Sequence, residues 1–220
     1  MIIEVNKIYN MDCAEGLHLM EEQGLVADWL ITDPPYGLGI DGQEESICKN
    51  PKHNRKAHDF EGWDNEIPDK SVFDAMFKQS KNQIIFGANY FTTYLPPGHK
   101  GWVIWDKGQR GLSMSDCEII FVSSDAATRI VTYNRAQLIK DGGTIHPTQK
   151  PVALICDLLN RFTKPGDLVV DCFSGSAAIA VACHKLQRRF IAFEKSPNIY
   201  DKSIKRFNAD TAQTSIFDII

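Results

Sequence analysis

Residues 168–194 restrict the possible folds more than any other part of the chain. An apolar run, Leu168–Cys172, leads into the small-residue turn FSGSAA. A helix-like stretch, Ala177–Leu186, follows, and a second apolar run, Arg189–Phe193, ends at Glu194. A strand, a tight glycine-bearing turn, a helix and another strand make a βαβ unit, which calls for a parallel sheet covered by helices. Gly175 gives the turn conformational freedom, while Ser174 and Ser176 keep it small and add hydroxyl groups. Backbone N–H groups at such a turn are open to close approach by a ligand. Glu194 stands 19 positions after Gly175, near the spacing at which an acid meets the hydroxyl pair of a ribose. There is no GxGxxG, so a single adenosyl group suits the unit better than a dinucleotide. A glycine that serves packing only, with Glu194 as a solvated strand end, is the competing reading.

The rest of the chain alternates in the same way. Residues 2–9 read as a strand, 13–22 as a short helix, and Ala27–Thr32 as a buried strand ending at Asp33. Ser71–Ser80 reads as a helix, and Asn82–Ala88, Gly101–Asp106 and Cys117–Ser123 as three strands. Pro151 opens a helix over VALICDLLNRF, with proline in the first turn. Asn198–Asn208 reads as a final helix, followed by a loose tail. The expected fold class is therefore α/β, a mostly parallel seven-stranded sheet with helices on both faces. At 220 residues it is taken as one domain, 1–220. Two polar segments interrupt it: 37–66, a long loop of the kind that is usually functional, and 124–146, which ends at HPTQKP.

The most specific motif is Asp33-Pro34-Pro35-Tyr36, at the end of a buried strand. Neither proline can donate to a ladder, so the strand stops there. The two rings fix the backbone, so the Asp33 carboxylate and the Pro34 carbonyl can aim at one point with little entropy left to lose. Tyr36 adds a flat ring. Two acceptors and an aromatic surface suit the exocyclic amine of a base turned out of its stack. Acceptors on its hydrogens favour a tetrahedral nitrogen and stabilise the positive charge that develops as it attacks. A strand-ending Asp before a rigid turn is the plain alternative.

Composition excludes some classes and leaves others. No apolar run approaches the ~20 residues of a membrane span. The opening MIIEVNKIYN lacks the layout of a signal peptide, so a cytoplasmic protein is expected. The six cysteines are scattered without CxxC pairs, which points to reduced structural thiols and no metal site. A net charge of −4 does not announce a nucleic-acid binder, but affinity for phosphate depends on a local basic surface. Such a surface is offered by KNPKHNRKAH, with Lys49, Lys52, Arg55 and Lys56, and by Arg129 and Arg135 further on.

Taken together and in this order, DPPY, HPTQKP and DCFSGSA resemble the amino-group DNA methyltransferases in their beta arrangement, over nearly the whole chain. The resemblance implies a Rossmann-like methyltransferase fold with circularly permuted motif order, S-adenosylmethionine as cofactor and double-stranded DNA as partner. It implies that Asp33, Pro34, Pro35 and Tyr36 hold the target base, with Asp33 also near the methionine end of the cofactor. Asp171, Phe173, Gly175, Ser176 and Ala177 would border the cofactor, and Glu194 would bind its ribose. Asp12 and Cys13 would contact its adenine, while His146, Thr148 and Lys150 would close over its methionine portion. The loop 37–66 would be mobile and contact DNA, and 124–146 would form a short target-recognition segment. A homodimer and a cognate restriction endonuclease are further partners that the resemblance allows.

One departure concerns Ala177, which replaces a family glycine and is unstrained only if its φ is negative. DPPY favours adenine N6. Cytosine N4 remains the alternative within the class, and a DNA-binding regulator without catalysis the alternative outside it. Protein-glutamine methyltransferases are marked by NPPY, whereas this chain has Asp33.

Overall fold

Each strand joins a single mixed sheet in the computed structural model of the chain, which describes residues 1–39, 42, 64–111, 115–134 and 149–212. The strands are β1 (Lys7–Asn10), β2 (Ala27–Thr32), β3 (Ser80–Ile85), β4 (Trp102–Asp106), β5 (Cys117–Val122), β6 (Arg129–Thr132), β7 (Leu168–Asp171) and β8 (Arg189–Glu194). Their order is β1-β8-β7-β2-β3-β5-β4-β6. Only β5 runs against the others, pairing antiparallel with β3 and β4. The helices are α1 (Cys13–Glu22), α2 (Lys70–Lys78), α3 (Val152–Phe162), α4 (Ala178–Lys185) and α5 (Pro197–Ala212). None of these is long and apolar enough to cross a membrane.

The period-two alternation of the strands sorts their side chains into two cores. Trp29, Ile31, Ile84, Val169, Phe190 and Ala192 pack on one face, against Leu154, Ile155 and Leu158 of α3 and the small residues of α4. Their chain neighbours Leu30, Ile85, Val170, Ile191 and Phe193 pack on the other, against Leu17 and Met20 of α1 and Phe73 and Met76 of α2. The near-continuous apolar runs of β2, β7 and β8 follow from burial on both faces.

Four expectations from the sequence need correction. Among the described residues the sheet has eight strands, not seven. β6 lies in the segment read as polar, where Arg129, Ile130 and Thr132 are exposed and Val131 alone is buried, so no alternation marked it. β1 starts at Lys7 rather than residue 2 because Asn6 is left-handed (φ 61°) and exchanges backbone and side-chain hydrogen bonds with Phe190. Pro151 caps α3 rather than sitting in its first turn. The tail read from about residue 209 is helical as far as Ala212.

Strand direction places the chemistry. Between β7 and β2 the chain order reverses, with β8 on one side and β3 on the other. At such a switch point the loops leaving the carboxyl ends of the strands part and leave a crevice. Asp33 follows β2, Asp171 ends β7 and Glu194 ends β8, so all three acids reach the same edge of the sheet.

Candidate active site

The two central strands are tied together at that edge. Thr32 Oγ1 donates to Asp171 Oδ1 at 2.9 Å, and the Phe173 N–H donates to the same oxygen at 3.2 Å. Burial, reinforced by the charges of Asp33 and Glu194, pushes the Asp171 carboxyl up to about 7, despite those two hydrogen bonds. Its Oδ2 is buried with no hydrogen-bond partner among the described residues, as is Ser174 Oγ. A buried acceptor without a partner is costly unless a ligand supplies one.

A pH effect follows, with its sign. The folded carboxyl titrates near 7, against about 3.9 in an unfolded chain. The folded state therefore holds the proton more tightly, and stability falls as pH rises between those two values. Asp171→Asn is expected to remove a decline on the order of 2–4 kcal/mol between about pH 4 and pH 8. Denaturant titrations across that range check this, and an unchanged pH slope in the variant would count against it.

Beside Asp171 lies a cavity of about 550 Å³, bordered by Asp33, Pro34, Pro35 and Tyr36, by Phe173–Ser176, by Asp12 and Cys13, and by Lys150 and Glu194. Both oxygens of Glu194 are oriented by backbone donors, Gly175 N–H to Oε2 and Ser196 N–H to Oε1, each at 2.9 Å. Asp12 caps α1 by accepting from the Ala14 N–H (2.9 Å) and pairs with Lys195 at 3.0 Å. Burial pushes the Cys13 thiol up to about 12, so it stays protonated and unreactive.

Ala177 falls on the strained side of its condition. Its φ is +60°, in the left-handed region, directly before α4. An alanine there carries about 1–2 kcal/mol of strain, against about 0.8 kcal/mol from burying its methyl in the core. Ala177→Gly is expected to raise stability by up to about 1 kcal/mol, visible as a higher denaturation midpoint. A lower midpoint would mean that the methyl outweighs the strain.

The Asp33-Pro34-Pro35-Tyr36 motif opens onto a buried polar cluster. Asp33 Oδ2 accepts from Lys150 Nζ at 2.6 Å, and Asp33 Oδ1 accepts from the Tyr36 hydroxyl at 2.5 Å. The same hydroxyl lies 2.9 Å from Glu118 Oε1, and Lys150 lies 3.2 Å from that oxygen. Lys107 approaches the other Glu118 oxygen at 3.2 Å. Burial raises the Asp33 carboxyl above its ordinary value, with the Glu118 charge adding to it and Lys150 opposing. Burial works upward on Glu118 too, but Lys150 and Lys107 outweigh it and hold Glu118 below its ordinary value. Lys150 loses by burial and gains more from its two carboxylates, so it remains charged.

Tyr36 is fixed on every side. Its backbone N–H and that of Gly37 both donate to Asp64 Oδ1 at 2.9 Å, and Asp64 is fully buried. Its ring stacks on Tyr90, with centroids 4.8 Å apart and planes 14° apart, and abuts Gly87. One face of the ring is thus already covered. Glu118 and Asp64 were not singled out from the sequence.

Other expected site residues fall elsewhere. Arg129 begins β6, the edge strand, at the end of the sheet away from Asp33. Lys49, Lys52, Arg55, Lys56, Arg135, His146 and Thr148 lie outside the described residues, as do most of loop 37–66 and the latter half of 124–146. Lys150 borders the cavity but points its charge at Asp33 and Glu118.

The family model for N6 and N4 DNA methylases matches residues 78–205, more than half of the chain. The chain belongs to the DNA methylase family. The match covers Lys150, Gly175 and Glu194, and Asp33 lies before it. The type II methyltransferase M1.MboII of Moraxella bovis is 24% identical over 86% of this methylase and 92% of its own length. Type II methyltransferase M.HindIII of Haemophilus influenzae is 35% identical, over 30% of this chain and 21% of its own. Among solved structures, the M1.HpyAVI–SAM complex superposes with a TM-score of 0.63 at 23% identity, covering 92% of this chain and 98% of that one. The cytosine-N4-specific PvuII DNA methyltransferase gives 0.59 at 16% identity, covering 94% and 87%. At these identities the superpositions establish the methyltransferase fold.

Proposed function

We propose that this DNA methylase transfers the methyl group of S-adenosylmethionine to the N6 amino group of an adenine turned out of duplex DNA. The observation that carries the reading is the meeting of both halves of the chemistry at one switch point: Asp33 stands beside the cavity that Asp171 and Glu194 border. When bound, S-adenosylmethionine supplies a methyl group on a sulfonium, which leaves as a neutral thioether. The residues present fit that cofactor. Glu194 offers acceptors for ribose hydroxyls, and Asp171 Oδ2 and Ser174 Oγ are buried polar atoms without a hydrogen-bond partner among the described residues. Phe173, Gly175, Ser176 and Ala177 would border it, and Asp12 and Cys13 would lie at its adenine. His146 and Thr148 would close over it, with Lys150 assigned instead to Asp33.

Asp33 and the Pro34 carbonyl would accept the hydrogens of the amine, which concentrates electron density on the nitrogen as it attacks. The base would lie against the motif near Tyr36, whose ring is already held by Tyr90 on one face. Lys49, Lys52, Arg55 and Lys56, with Arg129 and Arg135, would supply contacts to phosphate.

Adenine rather than cytosine rests on DPPY alone, since the fold is shared with a cytosine-N4-specific enzyme and does not choose the base. Expression of the chain in cells that lack DNA methylation, followed by sequencing for modified bases, tests base and site together. N6-methyladenine at a recurring sequence is expected. N4-methylcytosine would move the assignment to the alternative, and unmodified DNA would contradict the function.

A further inference from the structure

Glu118 is a buried acid beside Asp33 that belongs to none of the three motifs. It sits on β5, opposite Trp105 of β4, and its side chain is only 10% exposed. Its Oε1 meets the same two donors that hold Asp33, the Tyr36 hydroxyl at 2.9 Å and the Lys150 ammonium at 3.2 Å. A phenol has a single hydrogen, and so cannot donate to both carboxylates at once. Asp33 and Glu118 therefore compete for Tyr36 and share Lys150, and Lys107 secures Glu118 from its other side.

Resting on the methyltransferase reading above, we propose that Glu118 is a positioning residue of the transfer: by competing for Lys150 and the Tyr36 hydroxyl, both of which lie closer to Asp33, it loosens their hold on the Asp33 carboxylate and lets that carboxylate accept the hydrogens of the amine.

The need for such a residue comes from the chemistry. Asp33 paired fully with Lys150 and Tyr36 would have its lone pairs engaged and its charge neutralised, and would be a poor acceptor. The amine nitrogen forms a bond to the methyl carbon, becomes cationic, and must then shed one proton. Asp33 is the nearest carboxylate of the motif to receive it. A second negative charge within the cluster raises the proton affinity of Asp33, and a lysine between the two keeps the pair from repelling one another apart. Among the described residues, the groups that face Asp33 are Tyr36 from its own loop, Glu118 from β5, Lys150 from the segment before α3, and Asp171 from β7. Lys107 faces Glu118 from the end of β4. Of the groups that face Asp33 directly, Glu118 alone can be neutralised without changing a residue of the three motifs.

The test uses Glu118→Gln in the full chain, with two readouts. The first is steady-state transfer to duplex DNA: kcat is expected to fall about ten- to a hundredfold, with KM for DNA and Kd for the cofactor within about twofold of wild type. The second needs no cofactor. Carbon NMR of carboxyl-labelled aspartate, with the Asp33 resonance assigned by Asp33→Asn, follows its titration in the apoprotein. The Asp33 midpoint is expected to move to lower pH in Glu118→Gln. Should the variant fold poorly because Lys107 is left unpaired, Glu118→Gln combined with Lys107→Met restores the charge balance and is measured in the same way. An unshifted Asp33 midpoint overturns the proposal even if kcat falls, since the loss would then be structural. So does a wild-type kcat. If wild-type protein transfers no methyl at all, the functional reading fails, while the Asp33 titration still decides whether Glu118 controls that carboxyl.

Discussion

Replacing Asp33 with alanine is expected to cut methyl transfer to duplex DNA by about 10³-fold or more, while the chain stays folded and still binds cofactor. The magnitude follows from what removal of a single preorganised electrostatic group does at a reaction centre, about 10²–10³ in kcat, with the loss of the proton acceptor added. Retention of the fold follows from the cluster. Lys150 loses the partner at 2.6 Å but keeps Glu118 at 3.2 Å, so its buried charge is not left unpaired. Circular dichroism and a cofactor-binding titration on the same preparation separate loss of chemistry from loss of structure. Asp33→Asn keeps the shape and one acceptor oxygen, and is expected to retain more activity than the alanine. An alanine variant within tenfold of wild type would remove Asp33 from the mechanism.

Gly87→Ala is expected to have the next largest effect, although Gly87 belongs to none of the motifs. A Cβ built there comes within 2.1 Å of Tyr36 Cε1, and the residue has a φ of +62°. The tyrosine has nowhere to retreat: Asp64 holds its backbone, Asp33 and Glu118 hold its hydroxyl, and Tyr90 stacks on its ring. Left-handed strain of about 1–2 kcal/mol and overpacking of about 1–3 kcal/mol together give a destabilisation of about 2–5 kcal/mol. A displacement of Tyr36 by about 1 Å is enough to reduce kcat on the order of 10²-fold. Chemical denaturation gives the first figure, and kcat measured well below the melting temperature gives the second. Wild-type stability and rate together would show that Tyr36 is less confined than its contacts indicate.

Much of this was legible in the sequence because it is local. Strand β2 was bounded correctly by the prolines after Asp33, and the short helix read over 13–22 matches α1, which the structure shows to be capped by Asp12. The βαβ unit around Gly175 was readable because buried strands, a small turn and an acid at a fixed distance are all features of one continuous segment. The cluster around Asp33 was not, since Asp64 and Glu118 reach Tyr36 from 28 and 82 positions away. For Glu118 a signal did exist. It shares the parity of Ile120 and Val122 in β5, whose side chains belong to the core, and a charged residue on a core-facing position asks for a buried partner. Asp64 carries no such signal, because it follows a segment without periodicity. Ala177 shows how a conformational condition is stated by the sequence and decided by the backbone: only the φ of +60° reveals the strain. Lys150 stood out by its motif, whereas its partners, Asp33 and Glu118, follow from β5 running beside β4 and β3.

The most direct measurement is made with purified protein, duplex DNA and S-adenosylmethionine labelled in the methyl group, followed by nuclease digestion and chromatography of the nucleosides. The label is predicted to elute with N6-methyldeoxyadenosine, and to be absent when Asp33→Ala replaces the wild type. Label on a ring carbon of a pyrimidine, equal labelling by Asp33→Ala, or DNA that remains unlabelled while cofactor is bound would each contradict transfer to an exocyclic amine at Asp33.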